Sequence, residues 1–313
     1  MMNQLTMYID GKQHTFYQAN LNYSTEQLAH TFNCSIEPMN IDRPLSVEFF
    51  LNDQSILIGQ IDEAENETGA SALTMPIVGR SKSANMIDSR ITMDALYNLN
   101  VEELLRKLAK PFGLGVKSLV KGMPKIEEFQ INAESPVENV AQLIREQGYM
   151  LIERNGVLTI ENTAHATINN VGLETGNNID SLKIKRAFNK QFHTIDVQGQ
   201  WDDASAQVTN PSIDSSRTMV ITCDQLQNSA ACLSRAKYER NLAIAESLTA
   251  STSVADIFPQ LAIDGLNRVI RVFDKEQSFS EMLVIKSLGL SVSESSASTS
   301  VELVRPFKEQ SHV

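Results

Sequence analysis

The spacing of the apolar residues limits the fold of this chain more than any other feature, because it changes between two periods along the sequence. Apolar and polar residues alternate through about the first ninety residues, for example over 45–51, and this pattern predicts β-strands. The pairs Asp10-Gly11 and Asn52-Asp53 predict tight turns between strands. Gly59 and Gly79 lie where bends would curl a sheet. This segment is therefore predicted to be a barrel-like meander.

The apolar period changes to 3.6 in the following segment, 96–165, which predicts helices. Asn100 and Glu103 form a capping-box signature at the start of a first helix. Ser135, followed by a proline, is predicted to be the N-cap of a second helix. The pair Asn155-Gly156 then predicts the type I′ turn of a hairpin, because both residues tolerate positive φ.

Strand character returns over 182–184 and 192–197, and again beyond residue 261. An alanine-rich segment, 224–248, predicts a long helix that is opened by the pair Asp224 and Gln227. The serine-rich tract 291–300 is predicted to be a flexible hairpin tip.

Two segments about 161 residues apart, 20–37 and 181–199, share a pattern of apolar positions. The aligned pairs are Leu21 with Leu182, Tyr23 with Ile184, and Phe32 with Phe192. The simplest interpretation is two copies of one barrel-like domain, with the second copy interrupted by a helical insertion. Chance similarity between amphipathic strands is the alternative.

The predicted fold class is therefore α+β, with two related β-barrel-like domains and inserted α/β domains. The predicted domains are a first barrel-like domain at 1–95, an α/β domain at 96–165, a second barrel-like domain at 166–200 plus 258–313, and a helical or α+β insertion at 201–257. If three chains form a ring, two similar domains in each chain present six similar units around the axis.

Composition excludes several classes of protein. The net charge of −11 and a pI near 5.0 argue against a surface that specifically binds nucleic acid. No basic stretch precedes an apolar core at the N-terminus, and no run of about 20 apolar residues is present, so the chain is predicted to stay in a cytosol. Cys34, Cys223 and Cys232 form no CxxC pair and are predicted to be small core residues.

Candidate catalytic side chains are few. His193 and Asp196 are three apart in a predicted strand, so they face opposite sides and are not expected to act together. The acidic pair at 202–203 and the acidic run at 62–67 occur in polar, turn-like sequence, which favours a solvated surface over a glycosidase carboxylate pair.

The remaining binding motifs are weak. Gly113 and Gly115 lack the further glycine and the preceding strand of a dinucleotide site. Trp201 follows a predicted strand, where it is expected to be a core or interface residue in preference to a sugar-stacking platform. No catalytic, cofactor-binding or metal-binding residue is predicted, and no cofactor.

The serial order of several segments resembles the baseplate hub proteins of Mu-like phages, which are related to the T4-type hub and to the hub part of type VI secretion spike proteins. The segments are STEQLAHTF at 24–32, GQIDE at 59–63, VGRSKSANMIDS at 78–89, INAESPVENVAQLIREQGYMLIERNGVLTIEN at 131–162 and HTIDVQGQW at 193–201. The sequence departs from this family around Val254, where an expected hub strand is poorly marked.

The resemblance implies a structural role without enzymatic activity. It implies a homotrimer in the virion tail baseplate that joins tail tube proteins to the central spike, contacts other baseplate components and is assembled in the bacterial cytoplasm. DNA is expected only as passing cargo in a channel, which an acidic wall would keep from sticking. The alternatives are an OB-like barrel that binds glycan or single-stranded nucleic acid, and a tail-associated cell-wall hydrolase.

Overall fold

The structure is a computed structural model that describes residues 3–66, 74–123, 125–147, 149–164, 166–200, 203–223, 226 and 228–306. Several residues named above lie outside the described residues: Glu67, Trp201, Asp202, Asp224 and Gln227.

In the first part of the chain the described residues form seven strands, as the alternating pattern predicts. They are β1 (Leu5–Ile9), β2 (Lys12–His14), β3 (Phe16–Ser24), β4 (Thr31–Ile36), β5 (Ser46–Leu51), β6 (Gln54–Ala64) and β7 (Met75–Ser81). Asp10 and Gly11 join β1 to β2, and Asn52 and Asp53 join β5 to β6. All four residues have positive φ, as type I′ turns require.

The described residues of the middle part form three helices and five strands. They are α1 (Ala84–Asp88), β8 (Ile91–Asn100), α2 (Val101–Ala109), β9 (Gly115–Ser118), β10 (Lys125–Glu134), α3 (Glu138–Glu146), β11 (Tyr149–Arg154) and β12 (Val157–Asn162), with a 3₁₀ turn at Lys110–Phe112. The predicted capping box is confirmed, since the Glu103 amide donates to the Asn100 side chain and the Asn100 amide donates to Glu103. The predicted N-cap Ser135 is wrong: α3 begins after Val137, and the buried Ser135 hydroxyl points at the Met86 carbonyl.

The last part of the chain contains nine described strands and two helices. They are β13 (Ala166–Glu174), β14 (Lys183–Arg186), β15 (Thr194–Gln198), β16 (Ser205–Thr209), β17 (Thr218–Thr222), α4 (Ser229–Ala245), β18 (Leu248–Ala255), α5 (Pro259–Asp264), β19 (Arg268–Asp274), β20 (Phe279–Ser293) and β21 (Ala297–Val304). The helix α4 starts later than predicted, because the Asn228 side chain caps it by accepting from the Ala231 amide. The serine-rich tract is mostly strand, and its tip is only 294–296.

Thirteen strands form one large sheet in the order β14-β18-β21-β20-β3-β4-β7-β6-β5-β1-β2, with β19 on β20 and β13 on β19. The first half-sheet, β1–β7, contains the path β1-β5-β6-β7-β4-β3. The second half-sheet, made of β13, β14 and β18–β21, contains the path β13-β19-β20-β21-β18-β14. The two paths visit their strands in the same chain order, so the strand topology is repeated. One orientation differs: β1 is antiparallel to β5, whereas β13 is parallel to β19.

The structure corrects the predicted barrels in two respects. The described strands of the large sheet do not close, so the two barrel-like domains are seen as halves of one open, β-rich sheet. In addition, β15, predicted to belong to the second barrel-like domain, pairs with β16 and β17 in a separate sheet. The strand β18, predicted to lie in the insertion, includes Val254 and pairs with β14 and β21 in the large sheet.

The two half-sheets share one apolar core, whose buried side chains come from both, while separate cores lie under the middle segment and under α4. Inside the shared core, β6 and β7 are antiparallel neighbours whose backbones lie very close together at Gly79. A Cβ atom on Gly79 would lie 2.0 Å from the Gln60 carbonyl oxygen and 2.4 Å from the Phe32 ring. The glycine therefore permits this close pairing, and it lies within β7 opposite Ile61, next to the bulge in β6.

Gly79→Ala is expected to lower the free energy of unfolding by about 1–3 kcal/mol, because a backbone oxygen and a buried ring must both move. Gly172→Ala is the control, since its new Cβ would lie at ordinary contact distance from Arg271, 3.4 Å from the carbonyl oxygen and 3.9 Å from the Cβ. A change below about 1 kcal/mol is expected. Urea unfolding measures both changes. Equal losses in the two variants would contradict this account of the close pairing of β6 and β7.

Candidate functional site: the seam and the linker hairpin

The two half-sheets meet where β3 pairs antiparallel with β20, and this pairing is called the seam here. The register places Leu21 opposite Leu290 and Tyr23 opposite Leu288, and all four side chains are buried. The Thr25 amide extends the seam by donating to the Lys286 carbonyl at 3.0 Å. The seam therefore joins the halves through both backbone hydrogen bonds and a shared apolar face.

A hairpin made of β11 and β12, called the linker hairpin here, places one buried glutamate on each half-sheet. Glu153 is 1% exposed and lies beside the end of β7. Its Oε2 accepts from the Ser81 hydroxyl at 2.6 Å and from the Ser83 amide at 3.1 Å, and its Oε1 accepts from the Gly156 amide at 3.2 Å. The hairpin is thus attached to the first half-sheet by a carboxylate with several donors.

The second glutamate, Glu161, is fully buried and binds the start of β19. It accepts from the Asn267 side chain at 2.8 Å, and it forms ion pairs with Arg154 at 2.8 Å and Arg268 at 3.3 Å. Asp264 bridges the two arginines at 2.7 and 2.9 Å. This network attaches the linker hairpin to the second half-sheet.

His30 lies between Glu153 and the seam. Its Nε2 donates to the Glu153 carbonyl at 2.9 Å, while its Nδ1 is buried and has no partner among the described residues. The ring packs against Tyr23 with 4.9 Å between centroids. Burial lowers the pKa of His30 below its usual 6.5 against the opposing pull of Glu153, and nearby Arg154 lowers it further.

His30 is expected to make the protein less stable as the pH is lowered. Because its folded pKa lies below the unfolded value, the unfolded chain binds this proton first once the pH drops below about 6.5. As the pH falls, the free energy of unfolding of the wild type is expected to decrease more steeply than that of His30→Gln, by up to about 1.4 kcal/mol per pH unit. Chemical unfolding of both proteins between roughly pH 7.5 and 5.5 measures the difference, and parallel curves would contradict the expectation.

The glutamate network lies beside a small cavity. The cavity beside it, lined by Tyr23, His30, Glu153 and Arg154 among others, has a volume of about 50 Å³, whereas small-molecule sites are roughly 300–1,000 Å³. Both carboxylates are also occupied by donors within the chain. The network is therefore suited to holding the half-sheets in place.

A larger groove of about 670 Å³ lies between α3, α4 and the large sheet. Charged side chains of both signs line it, including Arg145, Glu246 and Lys286, and Tyr238 is its one aromatic residue among the described lining. Its volume is that of a small-ligand site. Its lining shows neither an aromatic platform for sugars nor a basic track for phosphates.

His193 and Asp196 do not act together. The His193 Nδ1 lies 3.1 Å from the carbonyl oxygens of Asn210 and Ile213, whereas Asp196 accepts from Gln198. The two side chains therefore have separate partners, and His193 lies just before β15.

The acidic motifs lie at the surface, and the two glycines lie at the ends of regular elements. In the acidic run, Asp62 pairs with Arg80 at 2.6 Å, and Glu63 and Glu65 are exposed. Asp203 is exposed as well. Gly113, with φ of 64°, ends the 3₁₀ turn, and Gly115 starts β9 beside Val157.

The three cysteines are buried, as predicted, and burial raises the pKa of Cys34 to about 12. Among the described residues, no group of three or more His, Cys, Asp and Glu side chains is arranged to hold a metal ion. None of the described helices has the length and apolarity needed to cross a membrane.

The sequence patterns did not identify Glu153 and Glu161. The signal was present, because both glutamates lie in a hairpin whose neighbours Ile152, Leu158 and Ile160 are buried. A charged residue inside such an apolar run is kept only when it is paired.

No family model and no curated protein matches this sequence. Solved structures do match. The 43 kDa tail protein of prophage MuSo2 from Shewanella oneidensis has a TM-score of 0.84 at 20% identity, covering 97% of this chain and 98% of that one. A tail protein from Neisseria meningitidis MC58 has a TM-score of 0.85 at 16% identity, covering 97% of both chains.

A more distant match is an E. coli component of the type VI secretion system, which is structurally similar to the T4 tail proteins gp27 and gp5. Its TM-score is 0.65 at 12% identity, over 97% of this chain and 77% of that one. The predicted resemblance to phage hub and secretion spike proteins is therefore confirmed at the level of the fold.

Proposed function

We propose that this chain, whose fold is that of phage tail proteins, is the structural hub of a contractile phage or prophage tail baseplate. Three copies would form a ring that joins the tail tube to the central spike and encloses a channel. The observation that carries the proposal is the repeated strand topology, in which β1-β5-β6-β7-β4-β3 recurs as β13-β19-β20-β21-β18-β14. The match to tail proteins along nearly the full length of both chains supports it.

The repeat explains how one chain can join objects of different symmetry. A closed ring of three chains carries six half-sheets in similar positions. Such a ring offers six similar contacts to a six-fold tube on one side and three identical contacts to a trimeric spike on the other. The half-sheets, β1–β7 and β13, β14 with β18–β21, would be the ring-forming units in place of the predicted domains 1–95 and 166–200 plus 258–313.

The proposed role needs no catalysis. The buried carboxylates bind donors of their own chain beside a cavity of about 50 Å³, and this arrangement supports an architectural function. The protein would be assembled in the bacterial cytoplasm and reside in the virion tail. Passing DNA would contact the channel wall only weakly if that wall is acidic, and a basic wall would contradict this part.

The proposal is tested by measuring the mass of the purified protein in solution. Size-exclusion chromatography with light scattering is expected to give about three times the chain mass of 34.7 kDa at micromolar concentration without ligand. A monomer would overturn the hub proposal. A monomer that also binds glycan or single-stranded DNA in the groove beside α4 would support the binding module instead.

A further inference from the structure

Several buried polar atoms surround the small cavity beside Glu153 without a hydrogen-bond partner. In the described part of the chain, six buried side-chain atoms lack a partner, and they include the Nδ1 of His30, the Nε of Arg154 and the Oδ1 of Asn155. These three residues line the same cavity, whose volume is about 50 Å³. Since buried polar groups are nearly always hydrogen-bonded, three such atoms around one cavity indicate a bound ligand.

The cavity lies where three parts of the chain meet. The strands β3 and β6 of the first half-sheet contribute Tyr23 and Ile56 to its lining, and the linker hairpin contributes 153–155. The strand β20 of the second half-sheet contributes Leu288, and the segment 261–266 around α5 forms another wall. A ligand in this cavity is therefore positioned to connect the linker hairpin to the large sheet.

The hydrogen-bond role of each atom follows from the chemistry of its side chain. The Nε2 of His30 donates to the Glu153 carbonyl at 2.9 Å, so its Nδ1 has a free lone pair and accepts. The Nδ2 of Asn155 donates to the Ser55 carbonyl, so its Oδ1 accepts. The Nε of Arg154 can only donate. The ligand must therefore offer two donors and one acceptor.

Water is the ligand that meets these requirements. A buried water typically forms about three hydrogen bonds to polar groups that otherwise lack partners. The volume of about 50 Å³ exceeds the roughly 10–15 Å³ that one water needs. A halide ion would face two acceptors, and a metal cation would face the N–H of Arg154, so neither ion matches the site.

We propose that this cavity is the binding site of a structural water, which accepts from the Arg154 Nε and donates to the His30 Nδ1 and the Asn155 Oδ1. The water bridges the segment just before β4 to the linker hairpin. It therefore adds to the attachment that Glu153 makes to the first half-sheet. The site is independent of the hub proposal, because all of its groups belong to one chain.

A crystal structure that resolves ordered water tests the site directly. The expected result is a water peak within about 2.7–3.2 Å of all three atoms. Crystals grown with bromide distinguish a halide site from a water site, because bromide scatters anomalously and water does not. A cavity without a water peak, or with an anomalous peak, would overturn the inference.

Two variants each remove one acceptor. Asn155→Gly deletes the Oδ1 and tolerates the φ of 50° at this turn, and His30→Phe keeps a ring beside Tyr23 but has no nitrogen. Both are expected to lose the water peak. Ser55→Ala is the control, because the Ser55 hydroxyl is also buried without a partner but lies outside the cavity lining. A water that remains in both acceptor variants, or that is lost from the control, would contradict the proposed site.

Oxygen-17 relaxation dispersion gives a second test in solution, since it detects water that exchanges slowly from a protein interior. The dispersion is expected to be weaker in Asn155→Gly and in His30→Phe than in wild type, and unchanged in Ser55→Ala. Equal dispersion in all four proteins would overturn the inference, whether or not the variants crystallise.

Discussion

Replacing Glu161 with alanine is expected to lower the free energy of unfolding by about 3–5 kcal/mol, since it removes one partner of a buried ion-pair network. Glu161 is fully buried and binds Arg154, Arg268 and Asn267. Without the carboxylate, Arg268 keeps only its pair with the half-exposed Asp264. The guanidinium groups then lack the acceptor that offsets their desolvation.

The matched control is Glu102→Ala, which removes an exposed i,i+4 ion pair with Arg106 at 2.6 Å. This variant is expected to change stability by about 0.5 kcal/mol or less. Glu161→Gln keeps an acceptor for Asn267 and should lie between the two. Urea unfolding of the three variants measures the series. If Glu161→Ala costs no more than the exposed control, Glu161 does not hold the half-sheets together.

The second large effect is expected at the seam. Leu21 and Leu290 are buried and face each other across β3 and β20. Leu21→Ala is expected to cost about 2–5 kcal/mol, because it leaves a cavity between the half-sheets. Since both half-sheets contribute to one core, they should unfold in one transition in every variant.

Coupling between the two leucines tests the seam more strictly than either single variant. The combined cost of Leu21→Ala and Leu290→Ala is expected to differ from the sum of the single costs by at least about 0.5 kcal/mol, as for residues in contact. Val78→Ala, on an exposed side chain of β7, should cost less than about 1 kcal/mol. Two separate unfolding transitions, or strictly additive costs, would contradict a shared core.

The sequence predicted local structure well where backbone chemistry determines it. The turns at Asp10-Gly11 and Asn155-Gly156 need residues that accept positive φ. The capping box of α2 needs two side chains that each accept a hydrogen bond from one backbone amide. These signals act over a few residues, so the surrounding fold does not change them. Ser135 failed as a cap because the fold uses its hydroxyl elsewhere.

Strand partners could not be predicted in the same way. Alternation in β15 identifies a half-buried strand but not the sheet to which it belongs, and its partners turned out to be β16 and β17. The strand β18 was hidden for another reason. Its buried positions hold small residues such as Ala250 and Thr252, whose hydroxyl donates to the Ser181 carbonyl at 2.6 Å. Such residues give little apolar periodicity.

The internal repeat was visible in sequence only in part. Strand pairing places Ile184 in the position of Leu21, two residues away from the predicted match with Leu182. Phe192 has no place in the second copy, because the strand equivalent to β4 is β18. The repeat is carried by pairing order, which amphipathic patterns report only weakly.

Imaging of the purified protein by electron microscopy tests the central claim most directly. The account predicts ring-shaped particles with three-fold symmetry, in which six similar lobes surround a central opening. Particles the size of a single chain, or rings that lack six similar lobes, would contradict the account.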